Sequence, residues 1–419
     1  MPAGTVRRRR ERRIGSLTPP AAVECLPEVR GGSGRSSSCP VNVGEVMRAQ
    51  VAIVGGGLAG LCAARLLHAA EVEFVLLEAR DRLGGRILTV DEAGQPAEDG
   101  FDLGPSWYWP RMQPDIAALV AELGLPAFGQ TSEGDVIFER MSREGPLRYQ
   151  GAAPEQLSFR LVGGTAALVR ALADELPREQ ILLSAPLTAM ALGSEGVELT
   201  IRRADETMET FVAERVIAAV PPRLLEATVS LAPGLDEVTA RRWRDTATWM
   251  APHAKFFAVY DRPFWREAGL SGTAQSMVGP MVEMHDATTA SGKAALFGFL
   301  GIGADQRAVL GEEALTRACL EQFARVFGPE ARHCRATLFK DWAADPRTAT
   351  AGDRATGSHP APDPAPWVTG PWRERLALGG SETSPREPGY LAGAVAAATR
   401  AVTDTHRKLT PSGPSGLER

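Results

Sequence analysis

Cysteine is scarce in this chain and carries no pattern. The five residues, Cys25, Cys39, Cys62, Cys319 and Cys334, form no C-x-x-C pair and no zinc spacing, and their number is odd. This argues against a disulfide framework and against a metal site, and a reducing cytoplasm is the simplest reading. Long apolar runs are also missing: none reaches the ~18 residues of a membrane span. Excess positive charge is absent, the formal net charge being −5, which argues against a general nucleic-acid binder. No internal repeat is visible. What remains is ordinary in bulk. Of 419 residues, 44% are hydrophobic and 23% charged, enough for a large core and for two domains.

The first 46 residues differ from the rest. Arg7 to Arg13 holds six arginines in seven positions, followed by Gly, Ser and Pro without apolar periodicity. The segment reads as disordered. No apolar h-region follows the arginines, so a signal peptide is not expected. Met47 leads directly into the first strand and is the expected start of the native protein. Residues 409–419 read as a flexible polar tail.

The informative stretch is 51–86. Val51-Ala52-Ile53-Val54 reads as a buried parallel strand. It runs into Gly55-Gly56-Gly57-Leu58-Ala59-Gly60, a G-x-G-x-x-G, then a helical segment, then Phe74-Val75-Leu76-Leu77 ending in Glu78. Strand, glycine turn, helix, strand, acid is the order that a dinucleotide site requires. Gly55 permits the tight turn, Gly57 lets backbone N–H groups approach a pyrophosphate, and Gly60 lets the helix pack on the strand. Leu58 and Ala59 open the helix whose N-terminus favours phosphate. Glu78 follows Gly60 by 18 residues, near the ~20 expected of a ribose-binding acid.

The next residues are Ala79-Arg80-Asp81-Arg82-Leu83-Gly84-Gly85-Arg86. This R-x-G-G-R element resembles that of the flavin amine oxidase family (monoamine and polyamine oxidase-like, bacterial type). There it closes over the FAD pyrophosphate, which assigns Gly84, Gly85 and Arg86, with Ala79 and Arg80, to the cofactor. The resemblance implies an α/β fold: a Rossmann-like FAD-binding domain with an inserted α+β substrate domain. Phe101-Asp102-Leu103-Gly104-Pro105-Ser106-Trp107 resembles the segment that passes under the flavin ring, with Gly104, Pro105, Ser106 and Trp107 at the cofactor. Leu187 matches a position whose backbone meets the adenine. Near the other end, Gly379-Gly380-Ser381-Glu382 and Gly389-Tyr390-Leu391 resemble the family's second cofactor element. Glu382 is implied to reach the ribityl or phosphate region, and the helix from Tyr390 to point at the flavin N1–C2 carbonyl. Residues 47–115, 160–245 and 345–408 are expected to build the FAD domain, and 116–159 with 246–344 the substrate domain.

Two residues are the catalytic candidates. Lys255, in His253-Ala254-Lys255-Phe256-Phe257-Ala258-Val259-Tyr260 ahead of Pro263-Phe264-Trp265, matches the family lysine whose ammonium holds a water at flavin N5 and aids reoxidation. Strand alternation places Phe257 and Val259 on its face; the alternative is an outward lysine. Tyr390 matches one wall of the aromatic cage that holds the amine; the alternative is a core tyrosine. Trp342 matches a tryptophan packed near the flavin. The chain departs from the family between Ala343 and Gly352, which contains neither a cysteine nor an aromatic residue. FAD is therefore expected to be non-covalent, and one cage wall is missing. Trp107, Tyr108 and Trp109 are candidates to replace it.

The leading expectation is an amine oxidase that uses FAD and dioxygen, acts on a small molecule, and is a monomer or homodimer. A desaturase or dehydrogenase of the same superfamily with an apolar substrate stays open, as does a non-catalytic flavoprotein.

Overall fold

Every residue of Val51–Val54 is buried, because both faces of its sheet are covered. The computed structural model describes residues 47–141, 143–151, 157–355 and 359–409. The expectations for residues 1–46 and 410–419 lie outside them.

Strand Met47–Val54 lies between Met208–Ala218 and Phe74–Leu77, parallel to both. They form the centre of an eight-stranded sheet. Ile181–Leu182 extends it in parallel beyond Phe74–Leu77. On the other side, Met208–Ala218 forms an antiparallel hairpin with Val197–Arg202. Asp205 shapes the turn by accepting from both the N–H and the hydroxyl of Thr207. This hairpin makes the strand longer than the apolar run Arg215–Ala219 indicated. Its first half alternates, with Phe211 and Ala213 inward, as a half-covered antiparallel strand should. Its last three residues pair with Leu376–Leu378 on the edge away from Met47–Val54, which brings the C-terminal segment into this sheet one strand removed from the first. Leu58–Ala69, Ala166–Asp174 and Leu391–Leu409 cover one face, where Leu61, Leu168 and Ala398 share a core. Leu225 and Trp243 belong to the core on the other.

A second sheet has seven strands. In order these are Ala336–Asp341, Ala254–Tyr260, Ala294–Leu300, Met281–Asp286, Leu270–Ser276, Asp135–Glu139 and Leu147–Tyr149. Ala254–Tyr260 is buried on both faces. Phe256, Ala258 and Tyr260 pack in a core with Leu315 and Phe323 of the helix Glu312–Phe327. Phe257 and Val259 pack with Phe101 and Leu103 on the opposite face. No helix among the described residues is long and apolar enough to cross a membrane.

Candidate active site

The glycines do three different jobs. Gly55 has φ +105°, a region that side chains avoid. At Gly60 a Cβ would stand 1.8 Å from the Gly55 carbonyl oxygen, so this glycine serves helix-to-strand packing. At Gly57 a Cβ would meet nothing nearer than 3.8 Å; the space beside it is open cavity. The helix Leu58–Ala69 begins at Gly57 with no side-chain cap and no acid in its first turn, so its leading N–H groups face that space as donors.

The second glycine element is locked onto the first. The Gly84 N–H donates to the Gly56 carbonyl at 2.8 Å, and Gly84 and Gly85 both have positive φ. Arg82 staples the loop by donating to the carbonyls of Leu83, Gly85 and Ile87. Glu78 is buried, its carboxylate accepting from the N–H groups of Gly56 at 2.6 Å and Arg80 at 2.8 Å. Arg80 pairs with Asp345 at 2.8 Å, and Asp345 also takes Lys340.

Together these elements line one cavity of about 730 Å³. Its lining includes Gly55, Gly57, Leu58, Ala59, Glu78, Ala79, Arg80, Gly84, Gly85 and Arg86, and also Leu187 at one end. Gly104, Pro105, Ser106, Trp107, Lys255 and Trp342 come from the middle of the chain, and Ser381, Gly389, Tyr390 and Leu391 from its C-terminal part. Three residues expected at the cofactor stand back from this lining. Gly60 lies within the helix. A Cβ at Gly380 would strike the Val220 carbonyl at 2.6 Å. Glu382 lies behind Arg86, which it binds through both oxygens at 2.6 and 3.2 Å.

Lys255 is 4% exposed, which removes the outward-lysine alternative. Its ammonium donates to the Asp102 carbonyl at 3.1 Å, the Gly104 carbonyl at 2.5 Å and the Ser106 hydroxyl at 2.9 Å. All three of these acceptors belong to the 102–106 segment. Burial pushes its pKa down from 10.5 to about 7; the Asp102 carboxylate opposes the shift and Arg160 adds to it. Gly104 is required here, since a Cβ would meet the Arg86 carbonyl at 1.9 Å. Trp342 fixes the same segment, its indole N–H donating to the Leu103 carbonyl at 3.0 Å.

Tyr390 has aromatic company. Trp109 meets it edge-on with centroids 6.2 Å apart, Trp249 at 6.4 Å, and His359 at 4.9 Å. Of the three candidate replacements, Trp109 is the one beside Tyr390. Trp107 packs on Phe297 and His285 instead, and Tyr108 on Phe159. Sequence reasoning missed Trp249 and His359. Trp249 stands six residues before Lys255, so its closeness to that strand was the one available signal; His359 had none. Arg307, a further cavity residue, is buried against Asp341 at 2.6 Å. Burial first, and Arg307 second, hold His253 below its ordinary pKa.

The donor set suits a flavin dinucleotide. Uncapped N–H groups, an open glycine cradle and arginines would suit a pyrophosphate, a buried acid a ribose, and aromatic and apolar walls the ring.

The comparisons with known proteins agree with that reading. Residues 143–406 match the model of the flavin containing amine oxidoreductases. Residues 53–123 match the NAD(P)-binding Rossmann-like domain. The putrescine oxidase of Kocuria rosea is 25% identical over 390 residues, spanning 68% of this chain and 80% of the relative. A putrescine oxidase structure has a TM-score of 0.72 at 22% identity, covering 86% of this chain and 99% of the other. The cyclohexylamine oxidase of Brevibacterium oxydans gives 0.70 at 19%, again covering 86% and 99%. The chain belongs to the flavin containing amine oxidoreductase family and is an FAD-dependent oxidoreductase.

Proposed function

We propose that the protein oxidises the C–N bond of an amine to an imine, which water hydrolyses, and releases hydrogen peroxide. The observation that carries this reading is the single cavity in which both glycine elements meet the wall of Tyr390, Trp109 and Trp249. FAD, when bound, would take up the two electrons from the amine and pass them to dioxygen.

Gly57, Leu58, Ala59, Gly84, Gly85 and Arg86 are assigned to the pyrophosphate and Glu78 to the ribose. Leu187 lies toward the adenine. Gly104 to Trp107, Trp342, Ser381, and Gly389 to Leu391 are assigned to the ring end. Lys255 positions the ring-facing backbone by holding the carbonyls of Asp102 and Gly104. Tyr390, Trp109 and Trp249 hold the amine, since aromatic faces attract nitrogen that carries positive charge. The described lining contains no cysteine, which supports non-covalent FAD. The two sheets support the division stated from sequence. The eight strands of one fall in 47–115, 160–245 and 345–408, and the seven of the other in 116–159 and 246–344.

The test is anaerobic addition of an amine panel to the yellow protein, followed by air. The expected result is bleaching, with one peroxide formed per carbonyl product. Flavin that stays oxidised with every amine, yet bleaches with an apolar ring substrate, would remove this assignment.

A further inference from the structure

Residues 343–352 hold neither an aromatic residue nor a cysteine, and the structure gives this stretch a different place. Trp342 sits at the ring end of the cavity, where its indole N–H holds the Leu103 carbonyl at 3.0 Å. Asp345 and Thr348 sit at the ribose end. Both accept from the guanidinium of Arg80, at 2.8 and 3.1 Å, and the Arg80 N–H donates to the carboxylate of Glu78. The stretch from 342 to 348 therefore runs alongside the cavity from one end to the other. In a flavin dinucleotide the pyrophosphate lies between those ends.

Arg347 stands at the tip of a fixed turn in this stretch. The Asp345 carboxylate accepts from the Arg347 N–H at 3.0 Å, and the Asp345 carbonyl accepts from the N–H groups of Thr348 and Ala349 at 2.9 Å. Thr348 is buried. Arg347 is exposed and lines the cavity. The backbone of the turn is thus bonded to protein, while its guanidinium is left over.

Charge singles out the same residue. Among the described residues, the arginines lining the cavity are Arg80, Arg86, Arg307 and Arg347. Asp345, Glu382 and Asp341 neutralise the first three. Asp345 is shared further with Lys340 at 3.0 Å. Burial pushes its carboxyl up, but Arg80 and Lys340 hold it below its ordinary range, so it is ionised and already spent. Lys255 is turned to the 102–106 segment. Arg347 makes no ion pair with any described residue. The glycine cradle offers N–H donors without net charge, and Arg86 enters as half of a neutral pair. A pyrophosphate there would still need a counter-charge, and Arg347 is the cation free to provide it.

We propose that Arg347 is a phosphate latch, a guanidinium that covers the cofactor's pyrophosphate from the open side of the cavity and slows its release. Retention of FAD then depends on ionic strength, since an exposed charge pair is screened by salt. The inference rests on the flavin dinucleotide and not on which bond the protein oxidises.

The test follows FAD release from diluted holoenzyme by the rise in flavin fluorescence, at about 50 and about 500 mM NaCl. At the lower salt Arg347→Gln is expected to release FAD about 10-fold faster than wild type, as the loss of one charge-assisted bond provides. Arg347→Lys, which keeps the charge, should stay within about 3-fold of wild type. At the higher salt the gap between wild type and Arg347→Gln should close to about 3-fold. ADP, which carries the pyrophosphate and no flavin ring, should bind the cofactor-free full chain about 10-fold more weakly in Arg347→Gln. The urea midpoints of the cofactor-free chains should coincide. Equal FAD release from wild type and Arg347→Gln would make Arg347 a solvated surface residue. Faster release with unchanged ADP affinity would place its action away from the phosphates, and a lowered urea midpoint would make it a brace of the turn. Any of these three results overturns the proposal. Flavin that no amine bleaches would remove the oxidase reading and leave the latch standing.

Discussion

At the scale of single residues, two neighbouring glycines are expected to fail in opposite ways. Gly60→Ala forces a Cβ to within 1.8 Å of a backbone oxygen, so it should lower stability by the upper end of the ~1–3 kcal/mol of overpacked sites. Gly57→Ala meets open space and a backbone at φ −78°. Its apoprotein should unfold within about 0.5 kcal/mol of wild type, yet bind FAD at least ~10-fold more weakly. Urea unfolding and flavin titration separate the two. Equal FAD affinity in Gly57→Ala would show that the open space is not a phosphate cradle. Lys255 makes a pH prediction. Its folded pKa is depressed to about 7, so below that pH the folded protein bears the full cost of a buried ammonium. Between about 7 and 10.5 the unfolded chain binds a proton that the folded one does not, and stability rises with pH. From pH 7 to 9 the wild type should gain roughly 2 kcal/mol relative to Lys255→Met. Parallel pH profiles of the two proteins would remove burial as the cause.

At the scale of elements, the site depends on two helices that begin at the same cavity. Leu58 and Ala59 open one, and Leu391 opens the other just past Tyr390. Both positive ends therefore meet one cavity, where they would act together on a bound dinucleotide. The helices contribute small residues to a shared core, with Ala63 and Ala64 from one and Ala394, Ala398 and Ala401 from the other. Ala398→Leu should splay them, costing ~1–3 kcal/mol in urea unfolding and weakening FAD retention together. A loss of stability with unchanged FAD affinity would mean that the helix ends do not act jointly. The first helix was legible in the sequence because a glycine turn, a helix start and an acid are local patterns with fixed offsets, whereas the place of the second was implied only by the family resemblance around Gly389-Tyr390-Leu391. The Trp249–His359–Tyr390 contacts were not legible, because they join loops 110 and 31 residues apart. No periodicity encodes such meetings. The cavity-side position of Glu283 was hidden for a related reason: counting by twos puts it with the buried Met281, and a β-bulge at Val282 reverses that.

At the scale of the whole molecule, one ion pair at the cavity wall joins partners 296 residues apart, Arg86 and Glu382. The glutamate side chain is fully buried and the arginine 27% exposed. Arg86 also donates to the Ser381 hydroxyl and to the carbonyl of Trp249, tying the phosphate loop, the C-terminal segment and the aromatic wall to one guanidinium. The sequence matched both residues to cofactor elements but could not show that they meet, because pairing across 296 residues is set by the fold. Their roles should separate in a double-mutant cycle. Arg86→Met strands a buried carboxylate, which costs ~3–5 kcal/mol. Adding Glu382→Met removes that orphan, so much of the stability should return. FAD affinity should not return with it, because Arg86 lines the cavity and Glu382 does not. Urea midpoints and flavin titrations on the four proteins make the comparison. If FAD affinity recovers in step with stability, Arg86 only braces the chain and the pyrophosphate is held without it.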